Sequence, residues 1–137
     1  MKKMKRILFV CCLLAATCTV TYTQSYAQSS PTRPTVSKAD FTAKVAQLKT
    51  LLDAGNAVDG KAKWEEVHKM MLSALGVTKY KIKDAIDAHN DVDKAHYTDV
   101  TINQRNLYYD IVKMRNDLVA NRVSLNTKLT AFGATIE

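Results

Sequence analysis

No cysteine follows Cys18 and no proline follows Pro34 in this chain of 137 residues. Cys11, Cys12 and Cys18 all lie in the first 27 residues, which read as a removable leader. A chain without that leader has no disulfide scaffold, no cysteine-based zinc site and no thiol nucleophile. Beyond Pro34 nothing forces a helix to break, and only Gly55, Gly60, Gly76 and Gly133 are left as punctuation. Sustained apolar/polar alternation is also missing, as are hairpin dipeptides between apolar runs, so the chain does not read as a sheet protein. Net charge is weak as well. The leader holds Lys2, Lys3, Lys5 and Arg6 and no acid, so its removal lowers the net charge from +7 to +3. That small excess argues against a nucleic-acid binder.

What is present begins with the leader itself. A short basic start precedes the apolar run Ile7–Val20, and Ser25-Tyr26-Ala27 places small residues before a cleavage point after Ala27. The apolar run is shorter than the roughly 20 residues of a spanning helix, so no retained membrane span is expected. Leu14-Ala15-Ala16-Thr17-Cys18 resembles a bacterial lipobox, but its leucine sits one place too early and Thr17 replaces a smaller residue. Lipid attachment at Cys18 is therefore the lesser alternative to a periplasmic or secreted protein.

Residues 28–36 contain both prolines among polar neighbours and predict a flexible linker, with a helical domain over 37–137. Ser37 with Asp40 forms a variant capping box, Val36 and Phe41 a hydrophobic staple. Phe41, Val45, Leu48 and Leu52 then make one stripe that stops at Gly55. Trp64, Val67, Met71, Ala74 and Leu75 form a second, ending at Gly76. A third helix is expected from Thr78, carrying Ile82, Ala85, Ile86, Ala88 and Val92. The β-branched run Tyr97–Ile102 predicts a break. After it, Leu107, Ile111, Met114, Leu118, Leu125, Leu129 and Phe132 follow a coiled-coil-like heptad seam, which Asn121 and Arg122 interrupt. A helix over about 102–132 would be roughly 45 Å long. The expected architecture is all-α: a small bundle of three to four helices with a long C-terminal helix.

Chemistry-bearing residues are few. His89, Asp93 and His96 stand at i, i+4 and i+7, which on one continuous helix gives a single face with two imidazoles and a carboxylate, a ligand set suited to zinc or copper. Glu65-x-x-His68 and Asp93-x-x-His96 echo an element of di-iron bundles, but no glutamate lies between Glu66 and Glu137 to complete that set. Asp87, Asp91 and Asp93 do not match the EF-hand spacing. No nucleophile elbow, phosphate loop or His-Glu-x-x-His motif occurs, and Glu65 and Glu66 point about 100° apart on a helix. Catalysis is not expected. Arg105, Lys113, Arg115, Arg122 and Lys128 on the last helix outnumber Asp110 and Asp117, and Tyr108-Tyr109 must face two directions. The expected function is a non-catalytic, exported interaction module that binds a protein partner or a second copy through the overhanging last helix. The alternative is a divalent-metal-binding protein using His89, Asp93 and His96.

Overall fold

Residues 32–137 are described by a computed structural model. The leader, the cleavage point after Ala27, Cys18 and residues 28–31 of the expected linker lie outside the described residues. Among the described residues four α-helices follow one another: α1 (Lys38–Asp53), α2 (Ala57–Asp87), α3 (Asp91–Val112) and α4 (Arg122–Ala134), with a 3-10 turn at Arg115–Asp117 before the last. Helix α1 starts as its sequence requires. Ser37 is extended and its hydroxyl accepts from the Asp40 amide at 3.3 Å, while Val36 packs against the core beside the buried Phe41. The stripe Phe41, Val45, Leu48, Leu52 is buried in full.

Two expected boundaries are overturned. Helix α2 does not end at Gly76; it continues through Thr78 for 31 residues. A lone glycine costs a helix only about 1 kcal/mol, and packing offsets it. Here the missing side chain is filled by Pro34, whose Cγ lies 2.7 Å from where a Cβ would stand. The segment from Arg33 to Val36, expected to be a free linker, is thus laid along α2. Arg33 grips Asp84 through two hydrogen bonds of 2.7 and 2.8 Å and lies over the Tyr80 ring.

The expected helix over 102–132 is also absent. Tyr97–Ile102 is helical without a break, and the chain instead turns between Lys113 and Asn121. The cause sits at the flaw in the heptad seam. Asp117 Oδ1 accepts from the Ala120 amide at 2.9 Å and Asn121 Nδ2 donates to the Asp117 carbonyl at 2.7 Å, so side chains replace the helical ladder there. Leu118 stays buried, and Leu125, Leu129 and Phe132 fold back onto their own bundle. The long helix is therefore the second, and the last is 13 residues.

The four helices close a ring in which α2 packs on α1 and α3, and α4 on α3 and α1. Cross-links define an up-down-up-down order: Lys44 reaches Glu66, Lys128 reaches Asp110 at 2.8 Å, and Lys38 reaches the Ala134 carbonyl at 3.4 Å. Trp64, Phe41, Phe132, Met71, Ile111 and the facing leucines fill the centre. Phe41 and Phe132 meet at 5.7 Å, and Gly133 leaves room for the Phe41 ring, 3.1 Å from its would-be Cβ. Arg33–Glu137 is one compact unit with this core as its own.

The α1–α2 and α2–α3 turns are copies of one device. Leu-Asp-Ala-Gly-Asn-Ala-Val-Asp at 52–59 matches Ile-Asp-Ala-His-Asn-Asp-Val-Asp at 86–93, and Lys49 and Lys83 stand equally far before them. Each lysine pairs with the aspartate four residues on, Asp53 or Asp87. Asn56 and Asn90 each accept from the amide three residues later at 3.1 Å and donate to that aspartate's carboxylate at 2.7 Å. Val58 and Val92 are accordingly exposed in both copies. One difference matters: Gly60, against which Leu52 rests, is replaced by Lys94, and Ile86, the counterpart of Leu52, is left half exposed.

Candidate functional site

The expected metal ligands do not assemble. His89 lies outside any helix, in the left-handed conformation (φ 52°) that ends α2, so the single helical face required by the spacing does not exist. Asp93 is engaged by Asn90 in the cap of α3. His96 Nε2 lies 3.1 Å from Glu137 Oε1, with its ring edge-on to Tyr97. Among the described residues no three histidine, cysteine, aspartate or glutamate side chains converge at a distance that would hold a metal ion.

A different group of residues gathers where α2, α3 and the turn after α3 meet. Trp64 and His68, four apart on α2, stack with ring centroids 5.8 Å apart and planes within 4°. Tyr108 from α3 lies nearly parallel to the His68 ring with centroids 5.7 Å apart, and its hydroxyl hydrogen-bonds His68 Nε2 at 2.9 Å. Glu65 approaches Nδ1 only to 3.8 Å, because its other oxygen accepts from Arg115 at 3.2 Å. A carboxylate, an imidazole and a phenol thus lie in sequence, as proton transfer requires. The carboxylate is nevertheless beyond hydrogen-bond reach of the ring, at 3.8 Å. What the arrangement does is clamp α2 to α3 and to the turn. The Trp64 indole N–H is buried with no partner among the described residues. The spacing Glu65-x-x-His68 and the pair Tyr108-Tyr109 are visible in the sequence; their meeting across 40 residues is not.

A second polar group is wholly internal. The Thr78 hydroxyl donates to Gln104 Oε1 at 2.9 Å, and the Gln104 amide donates to the Thr135 carbonyl at 3.3 Å. The space beside it, about 10 Å³, has room for one water molecule. This pair ties α2, α3 and the end of α4 together and offers no substrate cavity.

Most of the cations assigned by sequence to a basic last helix are in fact paired. Lys128 and Lys113 both reach Asp110, holding its carboxyl below the usual aspartate range, with the Lys128 hydrogen bond as the main cause. Arg115 reaches Glu65, and Arg122 reaches Asp53 at 3.8 Å. Glu66 sits between Lys44 and Lys63, whose hydrogen bonds bring its carboxyl down to about 2. Arg105 has no carboxylate within 4.0 Å among the described residues, and the same holds for Lys69 and Lys79 on α2.

These unpaired cations flank exposed apolar side chains. At 100° per residue, Leu72, Lys79, Lys83 and Ile86 project from α2 within a sector about 60° wide, and Ile102, Arg105 and Tyr109 do so from α3. Leu72, Ile86, Ile102 and Tyr109 are 47–54% exposed. The His68–Tyr108 contact lies at the junction of the two sectors, so they form one surface. No family model matches the chain, and neither a curated protein nor a solved structure shows significant similarity to it.

Proposed function

We propose that this protein is an exported, non-catalytic binding module, and that it binds through the outward surface shared by α2 and α3. One observation carries the reading: apart from Val123 of α4 and the valines of the two repeated caps, the large exposed apolar side chains of the described residues all belong to the outward sectors of α2 and α3. Burying four half-exposed apolar groups is favourable, and isolated bundles gain nothing by presenting them together. The expected binding element, an overhanging last helix, is replaced by this surface because Ile111, Leu118, Leu125, Leu129 and Phe132 are spent in the protein's own core. Export rests on the basic start, the short apolar run and the small residues before Gln28.

The test is cell fractionation of the full chain beside a Leu72→Ser, Ile102→Ser, Tyr109→Ser variant. The expected result is an exported product starting at Gln28, of which a part sediments with the envelope or in a larger assembly. The variant should melt within a few degrees of the parent and be released. A product kept in the cytoplasm with its leader, or a variant distributed identically to the parent, overturns the proposal.

A further inference from the structure

We propose that the partner of the α2/α3 surface is an anionic lipid surface; this rests on the binding-module reading above and names its ligand. The argument starts from charge. Lys79 and Arg105 are exposed on this surface without a carboxylate partner among the described residues, while Glu65 is engaged by Arg115 and Asp87 by Lys83, which leaves Asp91 at the start of α3 as the unpaired acid of the two sectors. Among the described residues the surface therefore carries two unpaired cations against one unpaired carboxylate.

Shape and chemistry narrow the partner further. Lys79, Tyr80, Ile82, Lys83 and Ile86 line a shallow, mostly apolar hollow. Apolar lining beside the unpaired Lys79 matches an amphiphile, with phosphate at that lysine and hydrocarbon against the isoleucines. Leu72 and Ile86 are 14 residues apart, roughly 21 Å along α2, and lysine stems lie alongside apolar surface while their ammonium groups reach outward. Apolar side chains and cations sharing the outward face of a helix are the arrangement of an element lying in a membrane interface. No helix among the described residues is long and apolar enough to cross a membrane, so attachment through this surface would be peripheral.

The test uses residues 33–137, which carry the whole described core, because the apolar leader would bind lipid by itself. Circular dichroism first establishes that the unit is helical. Partitioning is then measured by co-sedimentation with vesicles of phosphatidylcholine alone and of phosphatidylcholine with an equal part of phosphatidylglycerol. The expected result is at least tenfold stronger partitioning onto the anionic vesicles at low salt, a decline as salt is raised, and loss of the preference in Lys79→Glu, Arg105→Glu. Leu72→Ser, Ile102→Ser should weaken partitioning without removing the preference for negative charge. Equal partitioning onto both vesicles, none onto either, or full retention by the charge-reversed variant overturns the lipid assignment. If vesicles are not bound while the serine variant still loses its envelope association, the binding-module reading stands and its ligand is an acidic macromolecule instead.

Discussion

His89 holds in the second helical hairpin the backbone position that Gly55 holds in the first, at φ 52° against 70°. Both follow an Ala and precede an Asn whose amide reaches back to the carbonyl five residues earlier, at 2.9 Å to Leu51 and 2.8 Å to Ala85. The same turn is thus built once with a residue free of strain and once without. A β-carbon in the left-handed region costs roughly 1–2 kcal/mol. His89→Gly should therefore stabilise the unit by about 1 kcal/mol, equivalent to a rise in Tm of about 4–8 °C for a domain of this size. A thermal melt followed by circular dichroism checks this; an unchanged or lower Tm would mean that the imidazole makes a compensating contact.

Gln104 is 1% exposed and links three elements. Gln104→Ala would open a cavity and leave the Thr135 carbonyl without its donor, at a cost of about 3 kcal/mol. Gln104→Leu combined with Thr78→Val removes both polar partners and should recover a substantial part of that loss. Urea titrations of the three proteins decide between them. A double variant no better than Gln104→Ala would show that volume, not polarity, controls the site.

Gly76→Ala sets helix propensity against a collision. The alanine favours α2 by about 1 kcal/mol, yet its Cβ would stand 2.7 Å from Pro34 Cγ. The outcome expected is release of the 33–36 segment with little change in Tm, seen as faster hydrogen exchange at Val36 and Ser37 and the loss of the Arg33–Asp84 pair. Unchanged protection at those amides would contradict the docking of Pro34 on Gly76.

Acid should weaken the fold through Glu66. Its carboxyl falls from an ordinary 4.5 to about 2 because Lys44 and Lys63 hydrogen-bond the charged form. A depressed folded-state value means that the contribution is complete above about pH 4.5 and is lost as pH falls toward 2. Asp84, held down by Arg33, and Asp110, held down by Lys128, act in the same direction. In Glu66→Gln the decline in Tm between those two pH values should be shallower than in the parent. Identical acid limbs would remove Glu66 from the account.

The fold class, the start of α1 and the buried stripe Phe41–Leu52 were legible in the sequence because they depend on local signals: a capping serine, a staple and a period of 3.6. The seam of the last region was legible residue by residue, since most of its apolar members are buried, but not its path. Periodicity tells which side of a helix is greasy; it does not tell whether the helix continues. Asn121 marked the interruption, and Asp117 supplied the side-chain bond that made it a turn. His89, Asp93 and His96 do not share one helical face for the same reason: a spacing of 4 and 3 defines a face only while the helix is continuous, and His89 terminates one.

The repeat of Asp-Ala-x-Asn-x-Val-Asp was in the sequence from the start, and it determined both tight turns through the asparagine caps and the left-handed residue before each. Helical content, the two cap-and-turn devices and the greasy stripes were set locally, by interactions among residues no more than a few places apart. Which helix faces become surface was decided only when the chain closed its ring. The partners that matter there, Pro34 on Gly76, Arg33 on Asp84, His68 against Tyr108 and Gln104 against Thr78, are separated by 26 to 51 residues. Contacts at that range carry no periodic mark in the sequence. They arise from the shape left over once the core has packed, and that remainder exposes Leu72, Ile86, Ile102 and Tyr109 together.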